Sequence, residues 1–367
     1  MRVYLTGLGL CSLLAACGGE TTSPDSGGST DTGFDGGVTS DTGVDSGVPD
    51  SGNHPAPDAG FADPATLLQG FERVEGLRMW MQIKGSMTST MPPVLFLNSG
   101  PGHGYEYWVE PSRFLLGPGG SEAPNRLLIY ADLRATGQSA FGAVGSETSS
   151  VTFDTHVLDV KNAINYANQF AGRTGPMDLI GNGYGAGVAA VFTAQNPEAV
   201  SRLVLVNPYP PNVELQARFL EEIDARLSTP DNELVQEILL WNNCLNNIPR
   251  CGREYWAVVG PHWLCPANRH LFIDMGFSAF EIRTFKRYIT VDLRRIQYDW
   301  MPQISTIRKP TTIIAGPCDI SPTSVPTMYK DAIPGSELHV IPGTGHFPMV
   351  EDPRPFQQIV KRALLYP

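Results

Sequence analysis

Three stretches far apart in the chain carry the residue types of nucleophile, acid and base chemistry. They are Gly181-Asn-Gly-Tyr-Gly-Ala-Gly187, Asp319 within Gly316-Pro-Cys-Asp-Ile-Ser-Pro322, and His346 within Gly343-Thr-Gly-His-Phe-Pro348. An imidazole oriented by a carboxylate is a general base that can strip the proton from a hydroxyl or a water. The first stretch has the form of an elbow in which a buried strand turns sharply into a helix and exposes its apex residue. Here the apex is Gly183. Glycine takes the strained angles of such a turn at little steric cost, but it has no atom with which to attack. The residue types present are thus a candidate base, a candidate orienting acid and an elbow whose apex has no nucleophile.

Those residues need a scaffold that gathers distant loops at one edge. Met177–Ile180 reads as the elbow strand and Gly185–Asn196 as its helix. Upstream, Glu72–Lys84 alternates as a strand or hairpin does, and Pro93–Leu97 and Arg126–Tyr130 are short apolar runs of the kind buried on both faces. An amphipathic helix is expected at Asp154–Phe170 and a further buried strand at Arg202–Val206. After an interruption the alternation resumes with Thr311–Ala315, Glu337–Ile341 and a closing helix at Pro353–Leu364. Strands alternating with helices predict a mostly parallel, doubly wound α/β sheet, whose ligands bind at the carboxyl ends of the strands.

The order of motifs resembles the α/β-hydrolase fold, and within it the proline iminopeptidase-like branch. Asn98-Ser-Gly-Pro-Gly102 is similar to that branch's H-G-G-P-G loop, with Asn98 in place of the histidine, and Asp132-Leu-Arg-Ala-Thr-Gly-Gln-Ser139 to its D-Q-R-G-x-G-x-S. The resemblance implies a helical cap between about Pro208 and Trp300, with Trp241, Tyr255, Trp256 and Trp263 either lining a pocket or forming the core of the insertion. It also implies Asp319 as the acid, His346 as the base, and the backbone amides of Gly100 and Tyr184 as oxyanion donors. The serine-less elbow is similar, in turn, to that of the N-myc downstream-regulated proteins.

The amino terminus carries an export signal. Arg2, the apolar run Val3–Leu14 and Leu14-Ala15-Ala16-Cys17 resemble a bacterial lipobox, which makes Cys17 the expected lipidation site. Gly18 in place of aspartate points to the outer membrane, with the protein facing the periplasm or the cell surface. The predicted organisation is a signal at 1–17, an Asp/Gly/Ser/Thr tether at 18–63, core at 64–207, cap at 208–300 and core again at 301–367. Of the formal net charge of −11, the tether holds −9, so the folded part is nearly balanced and nothing favours nucleic acid as a partner. Cys244, Cys251 and Cys265 cluster in the cap, and a disulfide among them fits an oxidising compartment. Neither a metal nor a cofactor is called for.

With Gly183 at the apex, the expected protein is a lipid-anchored pseudo-hydrolase that binds a small molecule or a peptide end between core and cap. The alternatives are a hydrolase using His346 and Asp319 as base on water, or a surface protein-interaction module. Two other groups stand near the site: Ser99, read as a loop hydroxyl satisfying its own backbone, and Cys318, read as a small apolar filler rather than a substitute nucleophile. On this reading Gly183→Ser creates esterase activity.

Overall fold

Apolar runs of four or five residues are too short to bury themselves as helices, but a parallel strand covered on both faces buries every side chain. The computed structural model describes residues 65–117, 125–142, 151–241, 248–275 and 297–365, and in it such runs form the middle of an eight-stranded sheet. The strands are β1 (Thr66–Val74), β2 (Leu77–Lys84), β3 (Val94–Leu97), β4 (Leu128–Asp132), β5 (Met177–Asn182), β6 (Val200–Val206), β7 (Thr311–Ala315) and β8 (Glu337–Val340). Their order is β1-β2-β4-β3-β5-β6-β7-β8. The β1–β2 and β2–β4 pairs are antiparallel and the remaining pairs parallel. The opening hairpin turns through Glu75 and Gly76, both at positive φ (50° and 83°), as a two-residue hairpin loop requires.

The helices are α1 (Glu106–Ser112), α2 (Phe153–Phe170), α3 (Tyr184–Gln195), α4 (Val213–Arg226), α5 (Thr229–Trp241), α6 (Ile248–Val259), α7 (Ser324–Ala332) and α8 (Pro353–Leu365), with shorter turns between them. A capping box starts α2: the Thr152 hydroxyl accepts from Thr155 N–H while the Thr155 hydroxyl accepts from Thr152 N–H. Residues 184–193 of α3 are all buried, so this helix is apolar on every side and has no solvent face. Its first turn crosses β3 closely: a Cβ on Gly185 would stand 2.5 Å from the Leu97 carbonyl oxygen and 2.6 Å from that of Asn98. Only glycine lets the helix start there.

The interruption between β6 and β7 contains α4, α5, α6 and the 3₁₀ segments Gly260–Trp263 and Pro266–Met275. Asn212 starts α4, its side-chain oxygen accepting from Leu215 N–H at 3.0 Å. Tyr255, Trp256 and Trp263 are buried, and the rings of Trp256 and Trp263 meet edge to face at 4.8 Å. The expected signal, lipobox and tether lie outside the described residues, as does Cys244.

Candidate active site

β3 lies beside β5 in parallel register, with Leu97 opposite Gly181. Continued two residues beyond that pair, the register sets Ser99 opposite Gly183, on chains about 4.8 Å apart. Ser99 Oγ is 2.7 Å from His346 Nε2, and His346 Nδ1 is 2.6 Å from Asp319 Oδ1. Because a carboxylate only accepts, Nδ1 carries a proton, and in the neutral imidazole Nε2 is then free to accept from the Ser99 hydroxyl. Serine, histidine and aspartate thus form one hydrogen-bonded chain, and the serine is not at the elbow.

The reading of Ser99 as a hydroxyl bonded to its own loop is therefore corrected. Its backbone N–H is held instead by Tyr107 on α1, whose hydroxyl oxygen accepts at 2.8 Å, and Oγ is left for the imidazole. Burial pushes the Tyr107 hydroxyl well above its usual range, so it remains a neutral phenol in this role.

Gly183 keeps the backbone of an apex residue, at φ 53° and ψ −118°. A Cβ on it would fall 2.6 Å from both His346 Nε2 and Ser99 Oγ. The volume an elbow side chain would enter is thus taken up by the Ser99 hydroxyl and the imidazole. The amides expected to face an oxyanion, those of Gly100 and Tyr184, directly follow Ser99 and Gly183 in the chain. Gly100 N–H donates to none of the described residues. Tyr184 opens α3, at the electropositive end of that helix.

The other two members sit on loops after β7 and β8, each fastened from several sides. His346 N–H donates to the Trp263 carbonyl at 2.9 Å, and its own carbonyl accepts from Asn182 Nδ2 at 3.0 Å. The imidazole lies edge to face on Trp263 and on Phe347, both with centroids at 4.9 Å. Glu351 accepts from Gly345 N–H at 2.8 Å and Phe347 N–H at 3.2 Å. Asn207, past the end of β6, links the acid and base loops: its Oδ1 accepts from Gly316 N–H and its Nδ2 donates to the Gly345 carbonyl, both at 2.8 Å. Ser99 and His346 are each 2% exposed and Asp319 8%. Behind Ser99, Asn98 Nδ2 donates to Asp132 Oδ1 at 2.8 Å, which ties the loop after β3 to the end of β4.

His103, on the same loop, is wholly buried against Trp256 at 4.3 Å and Trp263 at 5.6 Å. Burial first, and then the nearby His346, hold its imidazole well below the usual histidine range. It is therefore neutral and adds no positive charge beside His346. Trp256 and Trp263 pack on each other in the insertion, and Trp263 also lies against the His346 imidazole. The side chain of Trp241 lies outside the described residues.

Cys318 is neither an apolar filler nor a spare thiol, because it is disulfide-bonded to Cys265, with the two Cα atoms 5.1 Å apart. Cys265 thus pairs outside its sequence cluster, and Cys251 is disulfide-bonded too. The Cys265–Cys318 bridge spans 53 positions and joins the cap to the loop of Asp319. Replacing both cysteines by serine is expected to lower stability by about 2–4 kcal/mol through the lost constraint on the unfolded chain, measured by urea unfolding.

Tyr107, Asn207 and Glu351 were not legible as site residues, since none belongs to a motif; Asn182 stands inside the elbow motif, but nothing in its spacing shows that it would hold the His346 carbonyl. Ser99 did leave a signal. Where the resembled loop reads H-G-G-P-G this chain has a serine at the second position, and where the elbow needs serine it has glycine. An exchange of that kind between two strands that pair in register is a pointer to a moved hydroxyl.

The alpha/beta hydrolase family profile matches residues 94–359, most of the chain. The chain belongs to the alpha/beta hydrolase family. Among curated relatives of this alpha/beta hydrolase, "Putative carbamate hydrolase RutD" from Klebsiella pneumoniae is 29% identical over 276 residues, covering 73% of this chain and 90% of that protein. Among solved structures, a proline iminopeptidase-related protein from Thermus thermophilus superposes with a TM-score of 0.60 at 18% identity, over 81% of this chain and 97% of its own. The enol-lactonase from Burkholderia xenovorans gives 0.57 at 15% identity, over 81% of this chain and all of its own. At those identities the structural likeness speaks to the fold of this alpha/beta hydrolase.

Proposed function

We propose that the protein is a serine hydrolase whose nucleophile is Ser99, acting on a carbonyl compound such as an ester, lactone, carbamate or amide. The observation that carries this reading is the 2.7 Å contact between Ser99 Oγ and His346 Nε2, with Asp319 on the far side of the ring. In the forward step Ser99 Oγ bonds to the carbonyl carbon as its proton passes to Nε2. The oxyanion faces the Gly100 and Tyr184 amides, and the proton leaves with the departing alcohol or amine. Water, deprotonated by His346, then cleaves the acyl–Ser99 bond and returns the proton to the serine. The names of the relatives, a carbamate hydrolase and a lactonase, support attack on an activated carbonyl. The lipobox at Cys17 supports attachment of the enzyme to an outer membrane by lipid.

A fluorophosphonate probe followed by peptide mass spectrometry tests the reading. Modification is expected on the peptide containing Ser99 and is expected to disappear in His346→Ala. A binding-only protein, holding its ligand without turnover, is the second reading; it is favoured by the 2% exposure of both Ser99 and His346, which keeps the pair away from solvent. Protein that stays unlabelled and turns over no p-nitrophenyl ester would leave that second reading standing.

A further inference from the structure

We infer that Arg226 of the cap is a positioning residue for the acid Asp319, so that the docked cap is part of what assembles the site. The inference rests on the hydrolase reading for its kinetics, but not for its spectroscopy. Arg226 is the last residue of α4, and its guanidinium reaches out of the cap into the loop after β7. Nη2 donates to the Asp319 carbonyl at 2.7 Å, and Nη1 donates to the Cys318 carbonyl at 2.8 Å and to the His262 carbonyl at 3.3 Å. Nε is turned the other way, to Glu222 Oε1 at 2.8 Å, which fixes the plane of the fork. The side chain is 20% exposed.

The two carbonyls that matter are those of Cys318 and of Asp319 itself. They lie on the peptide planes on either side of the Asp319 Cα, the first of which is also held from its N–H side by Asp319 N–H donating to the Gly316 carbonyl at 3.0 Å, and holding both carbonyls fixes the direction in which the carboxylate leaves the chain. Among the described residues the carboxylate's own hydrogen bonds run through Oδ1, which accepts from Ile320 N–H at 2.8 Å and from His346 Nδ1. A planar cation with several donors can hold two consecutive carbonyls and a third from the cap at once; a lysine ammonium is a single point that cannot reproduce the fork. The nearby Cys265–Cys318 disulfide keeps cap and loop together without setting the peptide planes beyond Cys318. Arg226 touches neither Ser99 nor the place of a substrate carbonyl, so it acts through Asp319 and His346.

The test uses the full chain with p-nitrophenyl acetate, the variants Arg226→Gln and Arg226→Lys, and Asp319→Asn as reference. Arg226→Gln is expected to lower kcat by about 10- to 100-fold with KM within about twofold of the parent, the signature of a misaimed base rather than of lost substrate contacts. Arg226→Lys is expected to recover part of kcat. Independently of turnover, the downfield NMR proton of the His346 Nδ1–H to Asp319 hydrogen bond, assigned by its loss in His346→Gln, should weaken or shift in Arg226→Gln while circular dichroism stays that of the parent.

Three outcomes overturn the inference: an unchanged downfield proton in folded Arg226→Gln, an equal fall for the Lys and Gln variants, or a loss confined to the thermal midpoint. If the parent turns over no ester while the resonance still responds to Arg226→Gln, the hydrolase reading fails and the positioning role stands.

Discussion

Ser99→Ala abolishes turnover: kcat for an activated ester is expected to fall by about 10⁴-fold or more, with KM little changed. The expectation follows from the hydrogen-bonded chain at 99, 346 and 319, in which Ser99 holds the only oxygen that the imidazole contacts through Nε2 among the described residues. Removing the nucleophile of such a unit costs nearly as much as removing all of it, leaving what the oxyanion donors and binding supply. Truncating a hydroxyl to a methyl group in a loop held by Tyr107 and Asn98 leaves the fold intact, so thermal unfolding should be close to that of the parent. Steady-state kinetics on purified protein give the answer. A Ser99→Ala protein with the parent's rate would remove the proposed nucleophile.

Gly183 supplies the second expectation, and it runs against intuition about an elbow that lacks its serine. Adding any side chain there is expected to impair the enzyme rather than complete it. A Cβ there would stand 2.6 Å from both His346 Nε2 and Ser99 Oγ, so Gly183→Ala must push the imidazole, the Ser99 hydroxyl or both aside. A displacement of about 1 Å costs roughly 100-fold in rate. Positive φ with a Cβ adds about 1–3 kcal/mol of strain, read as a lower thermal midpoint. Gly183→Ser should therefore lower activity in the parent background, where the sequence alone led to the opposite expectation. Combined with Ser99→Gly, it should do the reverse. With the loop hydroxyl gone, a hydroxyl at the apex can approach Nε2, and the double variant should exceed Ser99→Gly alone by at least about tenfold, with phosphonate label moving to position 183. Gain of activity from Gly183→Ser in the parent, with label at 183, would be incompatible with a nucleophile on β3.

Much of this architecture was readable because apolar runs and glycine turns report strands and elbows directly. Thr311–Ala315 forms the strand its composition calls for, and α8 runs one residue beyond the expected helix. The opening hairpin begins at Thr66 rather than Glu72, since β1 pairs with β2 through half-exposed residues that carry no strong alternation. Asp319 and His346 were legible as loop residues after the last two strands, and the structure brings them within 2.6 Å. Ser99 was not placed, because its proximity to His346 depends on the register between β3 and β5, 84 positions apart at Leu97 and Gly181. A residue's neighbours within a strand are written in the chain; its neighbour across a parallel pair is set by packing of the whole sheet. Cys318 was misread as an apolar filler for the same reason. Cys265 and Cys318 are separated by 53 positions, and only the docking of cap on core brings them together.

The pairing of Leu97 with Gly181 also bears on how enzymes of this fold are recognised. On that lattice the step from apex to neighbouring loop is one strand sideways, so a hydroxyl can change its address while the ring that serves it stays put. A rule that asks only whether the bend after the fifth strand bears an oxygen passes over the Ser99 hydroxyl beside it. Looking one chain over, at whatever lies level with that bend, is the inexpensive check.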